Sequence, residues 1–163
     1  MDHLRARWHL DPFRRGQRAR EAGGTSAGRD VRLLKPQTYM NRSGAALAPL
    51  LDAPEFDPSR DLLVLVDDVA TDLGRFRLRG AGSSGGHNGL KSVEGVLRRQ
   101  DYARLRIGVG PVPPDTGDLA DFVLGAFSRE ELAAVTALLD TMADAVEAWM
   151  TEGIEKAMSR FNR

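Results

Sequence analysis

Residues 75–92 read RFRLRGAGSSGGHNGLKS, and the residue types in this stretch predict a strand, a loop and a helix in that order. Arginines alternate with apolar residues over 75–79, which is typical of a β-strand that packs on one face only. The arginines Arg75, Arg77 and Arg79 must then face polar surroundings. Glycines crowd the next residues, where the backbone can turn tightly and present its N–H groups without obstruction by Cβ atoms.

A helix is predicted directly after the glycine loop. Leu90, Val93 and Leu97 recur at helical spacing, so we expect Asn88 to be the N-cap. A helix N-terminus beside a glycine loop and a cationic strand favours the binding of an anion.

A second arginine-bearing strand is predicted farther along the chain. Arg104 and Arg106 alternate with Leu105, Ile107 and Val109, so the two kinds of side chain lie on opposite faces. If this strand is the neighbour of the first, up to five guanidinium groups share one face of the sheet.

The formal net charge is zero, but the charges are segregated along the chain. Basic residues outnumber acidic ones over 1–50, ten to four, and over 71–110, eight to three. Acidic residues outnumber basic ones over 51–70, six to one, and over 111–152, nine to one. A local basic surface on a neutral protein suits a nucleic acid that is bound and released, whereas the acidic segments are best explained as solvated faces.

Composition excludes several other classes of protein. The 163 residues are predicted to form one domain, residues 1–163, and they contain no cysteine for disulfides or thiolate metal sites. The three histidines, His3, His9 and His87, lack the clustered spacing of a zinc site. No apolar run approaches the ~20 residues that cross a bilayer, so we expect a soluble, cytoplasmic protein.

Other elements follow from periodicity and turn residues. An apolar strand over 62–66, covered on both faces, is expected to end at Asp67 and Asp68. A Ser-Arg-Glu-Glu capping box at 128–131 is expected to start one long helix that carries Leu132 on its apolar face and continues to Trp149. The remaining predictions are a helix over 1–10, strands over 17–21 and 30–34, a helix from 41 or 43 to 51, a loop over 111–118 that is a candidate lid, and a helix over 151–161.

Several polar side chains fall in the predicted loops around these elements. They comprise the amides of Asn41 and Asn88, the carboxylate of Asp67 and the imidazole of His87. Beside a cationic strand, such groups could orient a carbonyl and a water next to a phosphodiester chain.

Parts of the sequence also fit two other ligands, a dinucleotide and a magnesium ion. Residues 80–85 match the glycine fingerprint of dinucleotide-binding proteins, but that fingerprint requires a buried apolar strand before it and a helix directly after it. Asp67 and Asp68 could hold a magnesium ion, but no phosphate-binding partner motif accompanies them. Both alternatives are less favoured than a nucleic-acid ligand.

Five motifs together resemble those of bacterial-type peptidyl-tRNA hydrolases. They occur in the family's order and cover the chain almost from end to end. They are 35–44 (KPQTYMNRSG), Asp67 with Asp68, 77–92 (RLRGAGSSGGHNGLKS), 104–110 (RLRIGVG) and 122–127 (FVLGAF).

The resemblance implies an α/β enzyme, a monomer with a twisted mixed β-sheet flanked by helices. Such an enzyme hydrolyses the ester that joins a peptide to the 3′ end of tRNA, which recycles tRNA for translation and rescues stalled ribosomes. It requires no metal and no cofactor, and its expected partner is peptidyl-tRNA.

The resemblance also implies roles for individual residues. Asn41 and Asn88 contact the peptidyl-adenosine end, with Tyr39 beside the terminal base. Asp67 holds the catalytic imidazole in its basic form, and His87 lines the peptide channel. Phosphate contacts are implied for Arg77, Arg79 and Arg106, with Lys91 nearby as a weaker candidate.

One part of the family pattern has no counterpart in the printed sequence. Family members begin with a strand, a Gly-Asn-Pro-Gly loop and a Thr-Arg-His-Asn segment whose histidine is the general base. We therefore expect a domain whose sequence begins after that histidine and lacks the first strand, with impaired hydrolysis and low stability. The alternative is a non-catalytic relative that binds tRNA without cleaving it.

Overall fold

The computed structural model describes residues 1–162, which form a mixed α/β structure with two three-stranded sheets and flanking helices. One compact unit comprises Met1–Leu62 and Ala81–Tyr102, and a second comprises Leu63–Gly80 and the chain from Ala103 onward. The expectation of a single domain over 1–163 stays a prediction.

The strands and helices of the first unit are as follows. Its helices are α1 (Asp2–Arg7), a 3-10 helix (Met40–Leu47), α2 (Ala48–Leu51), α3 (Pro58–Asp61) and α4 (Asn88–Leu97), and its strands are β1 (Arg14–Arg15), β2 (Ala19–Ser26) and β3 (Arg29–Pro36). The predicted N-terminal helix is confirmed over Asp2–Arg7, and Leu4 within it and Trp8 at its C-cap are both buried.

The sheet of the first unit is antiparallel, in the order β1-β2-β3. β2 and β3 pair along their whole length and are joined by Ala27 and Gly28, whose φ angles are 50° and 72°. Two positive φ angles give the turn a twist that matches the twist of the strands. The two predicted strands are confirmed, but they are longer because the turn takes only two residues.

The 3-10 helix and α4 cross in direct backbone contact. A Cβ added at Gly44 would lie 2.3 Å from the carbonyl oxygen of Ser92. The Gly44 N–H also donates to Ser92 Oγ at 3.0 Å. Only a residue without a side chain allows so close a crossing, and the crossing places the start of the 3-10 helix beside the start of α4.

The second unit contains the other sheet and four helices. The strands are β4 (Leu63–Asp72), β5 (Phe76–Arg79) and β6 (Ala103–Gly110), and the helices are α5 (Leu119–Leu124), α6 (Arg129–Ala137), α7 (Leu139–Glu152) and α8 (Ile154–Phe161). β6 lies in the centre, parallel to β4 and antiparallel to β5. The two arginine-bearing strands, β5 and β6, are therefore neighbours, which meets the condition under which their arginines share one face of the sheet.

The prediction for β4 is wrong in two respects. The strand does not end at Asp67 and Asp68 but continues to Asp72, with a shift in register after Asp68. Most of its residues are partly exposed rather than covered on both faces, and Thr71 is the buried residue of the strand. The irregular segment approaches β6 so closely that a Cβ at Gly108 would lie 2.0 Å from Asp72 O, which accounts for the glycines at 108 and 110.

The C-terminal helices also differ in part from the prediction. The capping box is confirmed, since Ser128 Oγ accepts from Glu131 N–H and Glu131 accepts from Ser128 N–H. The single long helix is wrong: the Leu138 N–H donates to Val135 O, three residues back, and separates α6 from α7. Leu132 on α6 is 55% exposed, whereas the buried apolar residues belong to α7. α8 begins at Ile154 instead of Thr151, because Gly153 turns the chain with a φ of 91°.

Residues 111–118 form neither helix nor strand, as expected, and Asp118 caps α5 by accepting from Ala120 N–H at 2.8 Å. Their role as a lid stays a prediction. Along residues 1–162, no helix is both long enough and apolar enough to cross a membrane.

Candidate functional site

The N-terminus of α4 is capped by His87, so the prediction of Asn88 as the cap is wrong. His87 has an extended backbone, and its Nδ1 accepts the Leu90 N–H at 3.2 Å. Because Nδ1 serves as the acceptor, the proton of the neutral imidazole lies on Nε2. Asn88 is the first residue of the helix, and its amide is left at the protein surface.

Met40, at the start of the 3-10 helix, contacts the N-terminus of α4. A Cβ at Gly89 would lie 2.7 Å from Met40 Sδ and 2.9 Å from His87 Cε1, so both side chains pack against the Gly89 backbone. Asn41 follows Met40 in the chain and Asn88 precedes Gly89. Contact between Met40 and Gly89 therefore brings the two predicted amides into one neighbourhood, where both residues are exposed.

Tyr39 lies beside these residues on an open recess of about 480 Å³, which is also lined by Gln37, Thr38 and Arg42. The tyrosine is 82% exposed, so it does not belong to the core. An aromatic ring, an amide and a guanidinium around one recess suit a planar polar group such as a nucleobase. Sequence reasoning missed Gln37, Thr38 and Arg42, although all three fall inside the motif at 35–44.

Lys91 lies one turn along α4 from His87 and donates its backbone N–H to His87 O at 3.0 Å. Lys91 is exposed. It belongs to the first unit, as do Asn41, Asn88 and Tyr39.

In the second unit, the pairing of β5 with β6 produces a face rich in arginine. Arg77 is directly opposite Arg106, and Arg79 is directly opposite Arg104. Residues paired in this way project to the same face of a sheet, and like charges directly opposite each other are destabilising. Such an arrangement is favoured when an anion neutralises the face, and Arg77 and Arg79 are exposed to receive one.

Arg104 lies on this face of the sheet, opposite Arg79, but it is only 1% exposed. It belongs to the central strand β6, where Ala103 and Leu105 are buried as well. Arg77 and Arg79 on β5 are exposed, and the side chain of Arg106 on β6 is mostly buried. Arg75 is exposed as well but precedes β5, which begins at Phe76.

Asp68 is a further member of this face that sequence reasoning did not assign. Its Oδ2 lies 3.8 Å from Arg106 Nη1, and both side chains are mostly buried. Asp68 Oδ1 accepts from Ala70 N–H and Oδ2 from Thr71 Oγ1, so the carboxylate is held in place. The register of β4 with β6, which pairs Val66 with Arg106, places Asp68 and not Asp67 on the arginine face, and residue types alone do not specify that register.

Asp67 lies in register with Ile107, on the face of the sheet opposite Asp68 and Arg106. The sheet therefore separates the predicted imidazole-orienting carboxylate from the arginine face of the same unit. Its assigned role stays a prediction. Over residues 1–162, no three His, Asp or Glu side chains are grouped as a metal site would need.

The family model for peptidyl-tRNA hydrolase matches residues 1–163 of the sequence. The chain belongs to the peptidyl-tRNA hydrolase family. A curated peptidyl-tRNA hydrolase from Gemmatimonas aurantiaca is 48% identical over 165 residues, which cover 100% of this chain and 87% of the relative. One from Chloroflexus aggregans is 47% identical over 91% of this chain and 79% of the relative.

A solved structure agrees with these relatives. The crystal structure of peptidyl-tRNA hydrolase from Acinetobacter baumannii superposes with a TM-score of 0.88 at 28% identity, covering 99% of this chain and 81% of that one. The predicted resemblance to bacterial peptidyl-tRNA hydrolases and the predicted α/β fold class are both confirmed. These matches are to hydrolases and do not favour the alternative of a non-catalytic relative.

Proposed function

We propose that this protein hydrolyses the ester bond between the peptide and the tRNA of peptidyl-tRNA. The match of the peptidyl-tRNA hydrolase family model to residues 1–163 carries the proposal. The neighbourhood of Asn41 and Asn88 in the first unit supports it, because ester hydrolysis requires donors for the developing oxyanion and groups that orient water.

The residues of the first unit take the acylated end of the tRNA in this proposal. Asn41 and Asn88 bind the peptidyl-adenosine end, and Tyr39 stacks on the terminal base in its recess. His87 lines the peptide channel. Its Nδ1 accepts the Leu90 N–H and so belongs to the helix cap.

The residues of the second unit take the tRNA backbone. Arg77, Arg79 and Arg106 contact phosphates, and Asp68 orients the guanidinium of Arg106 before tRNA arrives. Lys91 of the first unit adds a weaker phosphate contact. Asp67 keeps the catalytic imidazole in its basic form.

We also propose that a polypeptide of these 163 residues alone hydrolyses its substrate slowly. The family resemblance assigns the general base to a histidine in a Thr-Arg-His-Asn segment, and the printed sequence contains no such segment. His87 holds its Nδ1 proton acceptor in the helix cap. Loss of one member of a catalytic unit lowers rates by several orders of magnitude.

Chemical rescue tests the activity and the missing base together. The 163-residue polypeptide is incubated with N-acetyl-aminoacyl-tRNA, and release of the acyl group is measured with and without added imidazole. We expect slow cleavage that imidazole accelerates, while Asn41→Ala with Asn88→Ala abolishes the acceleration. A rate without imidazole equal to that of the Gemmatimonas relative would refute the claim of slow hydrolysis, and no cleavage under any condition would refute the proposed activity.

In the cell, the proposed role is to recycle tRNA for translation and to rescue stalled ribosomes from the cytoplasm, as a single-domain monomer that uses neither metal nor cofactor. Light scattering during size exclusion tests the monomer. Activity that survives EDTA tests the absence of a metal requirement.

A further inference from the structure

The outer edge of β5 is closed by a side-chain amide from the end of α8. Asn162 Oδ1 accepts the Leu78 N–H at 2.8 Å, and Asn162 Nδ2 donates to Leu78 O at 3.0 Å. β5 lies at the edge of its sheet, and Leu78 is fully buried. The amide therefore supplies the pair of hydrogen bonds that a neighbouring strand would otherwise make.

The residue held in this way lies between two arginines of the arginine face. In an antiparallel pair, the backbone groups of successive residues point alternately toward and away from the partner strand. Since the Leu78 groups point outward to Asn162, those of Arg77 and Arg79 point toward β6. Asn162 thus holds the middle of the short segment that carries both arginines.

Arg79 is connected to Asn162 through a shared acceptor. Its Nη1 donates to Leu78 O at 3.1 Å, the same oxygen that accepts from Asn162 Nδ2. The position of that carbonyl therefore sets the position of the Arg79 guanidinium as well as the strand edge.

Asn162 is itself anchored by α8. Its backbone N–H donates to Met158 O at 3.0 Å, and Ala157 in the middle of the helix is fully buried. At the start of the helix, Ile154 lies against the end of β5, where a Cβ at Gly80 would be 3.4 Å from Ile154. The amide is therefore presented from the end of a helix that packs through Ala157 and Ile154.

We propose that Asn162 is a positioning residue for tRNA binding, which holds Arg77 and Arg79 in place through Leu78. The inference rests on the proposed function, in which these arginines contact phosphates. Without the Asn162 amide, the outer edge of β5, a strand of four residues, loses its two hydrogen-bond partners at Leu78. The side chains of Arg77 and Arg79 must then be ordered when tRNA binds, and the entropy lost in ordering them weakens binding.

The test is the salt dependence of tRNA binding by the full chain. Uncharged tRNA is titrated at several salt concentrations against the parent protein, Asn162→Ala and Ser159→Ala, an exposed neighbour on α8. We expect Asn162→Ala to weaken binding about tenfold, which is about 1.4 kcal/mol. Each phosphate contact contributes roughly 0.7–0.9 to the slope of log K against log salt, so the slope becomes shallower by up to about 1.8 when both are lost.

Two controls separate positioning from a general loss of stability. Val146→Ala removes buried volume from α7, outside β5 and α8, and lowers the melting temperature. It should leave the salt slope unchanged. If Asn162→Ala does not fold, Asn162→Ser, whose hydroxyl can make one of the two bonds to Leu78, is measured in its place.

A double-mutant cycle decides whether Asn162 acts through the arginines. In a chain that already carries Arg77→Ala and Arg79→Ala, Asn162→Ala should weaken tRNA binding by less than twofold. A full tenfold loss in that background, or an unchanged slope when Asn162→Ala is made alone, would overturn the inference. If the two arginine substitutions themselves leave tRNA binding unchanged, it is their proposed phosphate role that is refuted.

Discussion

Substitution of Gly44 by alanine tests the helix crossing that brings the two asparagines together. The added Cβ would lie 2.3 Å from Ser92 O and 2.7 Å from its carbonyl carbon. Both are backbone atoms of α4, so no side-chain rotation relieves the overlap and one helix must shift. Overpacking of this kind costs about 1–3 kcal/mol, and a clash with backbone belongs at the upper end, near 3 kcal/mol.

Gly95→Ala is the matched control. Gly95 also belongs to α4, but no atom lies within 4 Å of the position where its Cβ would be. Here alanine improves helix propensity, so we expect stabilisation by up to about 1 kcal/mol. The same chemical change in one helix pair therefore has opposite predicted effects on the free energy of unfolding.

Urea denaturation followed by circular dichroism measures both variants. We expect the midpoint to fall for Gly44→Ala and to rise slightly for Gly95→Ala, with similar m values. In a thermal scan, 3 kcal/mol corresponds to roughly 6–12 °C for a protein of this size. Equal midpoints for Gly44→Ala and the parent would refute the close crossing and, with it, the structural basis for placing Asn41 beside Asn88.

Four further predictions concern single residues. Arg106→Ala should weaken tRNA affinity and flatten its salt dependence by roughly one contact in filter binding; a loss that is independent of salt would contradict a phosphate contact. Asp67→Ala should lower the turnover rate more than substrate affinity in single-turnover cleavage, measured with and without imidazole. A larger loss of affinity than of rate would mean that the catalytic role of Asp67 has been misassigned. His87→Ala should remove the cap and cost about 1 kcal/mol in urea denaturation, whereas His87→Asn should retain most of the stability because asparagine is a good N-cap. Arg99 hydrogen-bonds Asp101 and lowers the pKa of that carboxyl to about 2. The pair therefore stabilises the folded state above about pH 3.8, and this contribution is lost as the pH falls toward 2. In an NMR titration, Arg99→Gln should raise the pKa of Asp101, and an unchanged pKa would exclude the pair.

The predictions that succeeded depend on short stretches of chain. The strand at 76–79 and the capping box at Ser128 follow from alternation and from chemistry that spans three residues. The strands β2 and β3 were predicted for the same reason, although the two-residue turn between them was not. Motifs in the family's order then identified the fold class, and the residues that make the crossing of the 3-10 helix with α4 belong to two of those motifs.

The predictions that failed depend on angles or neighbours that residue types do not specify. Whether His87 or Asn88 is the cap is decided by the backbone angles of two adjacent residues, each with a side chain able to accept the bond. The division of the predicted long helix at Leu138 is of the same kind, since its apolar spacing continues without interruption.

By itself, the sequence determined the capping box, the family and the presence of alternating arginines on two strands. These are properties of local periodicity and of residue types at fixed spacing. Only the tertiary structure decided that Arg104 is buried while Arg77 is exposed, that Asp68 rather than Asp67 faces Arg106, and that Asn162 closes the edge of β5 from 84 residues away. The burial of a strand residue and the identity of its partner depend on strand order and register. Contacts between segments distant in the sequence set both, and the residue pattern of either segment alone does not reveal them.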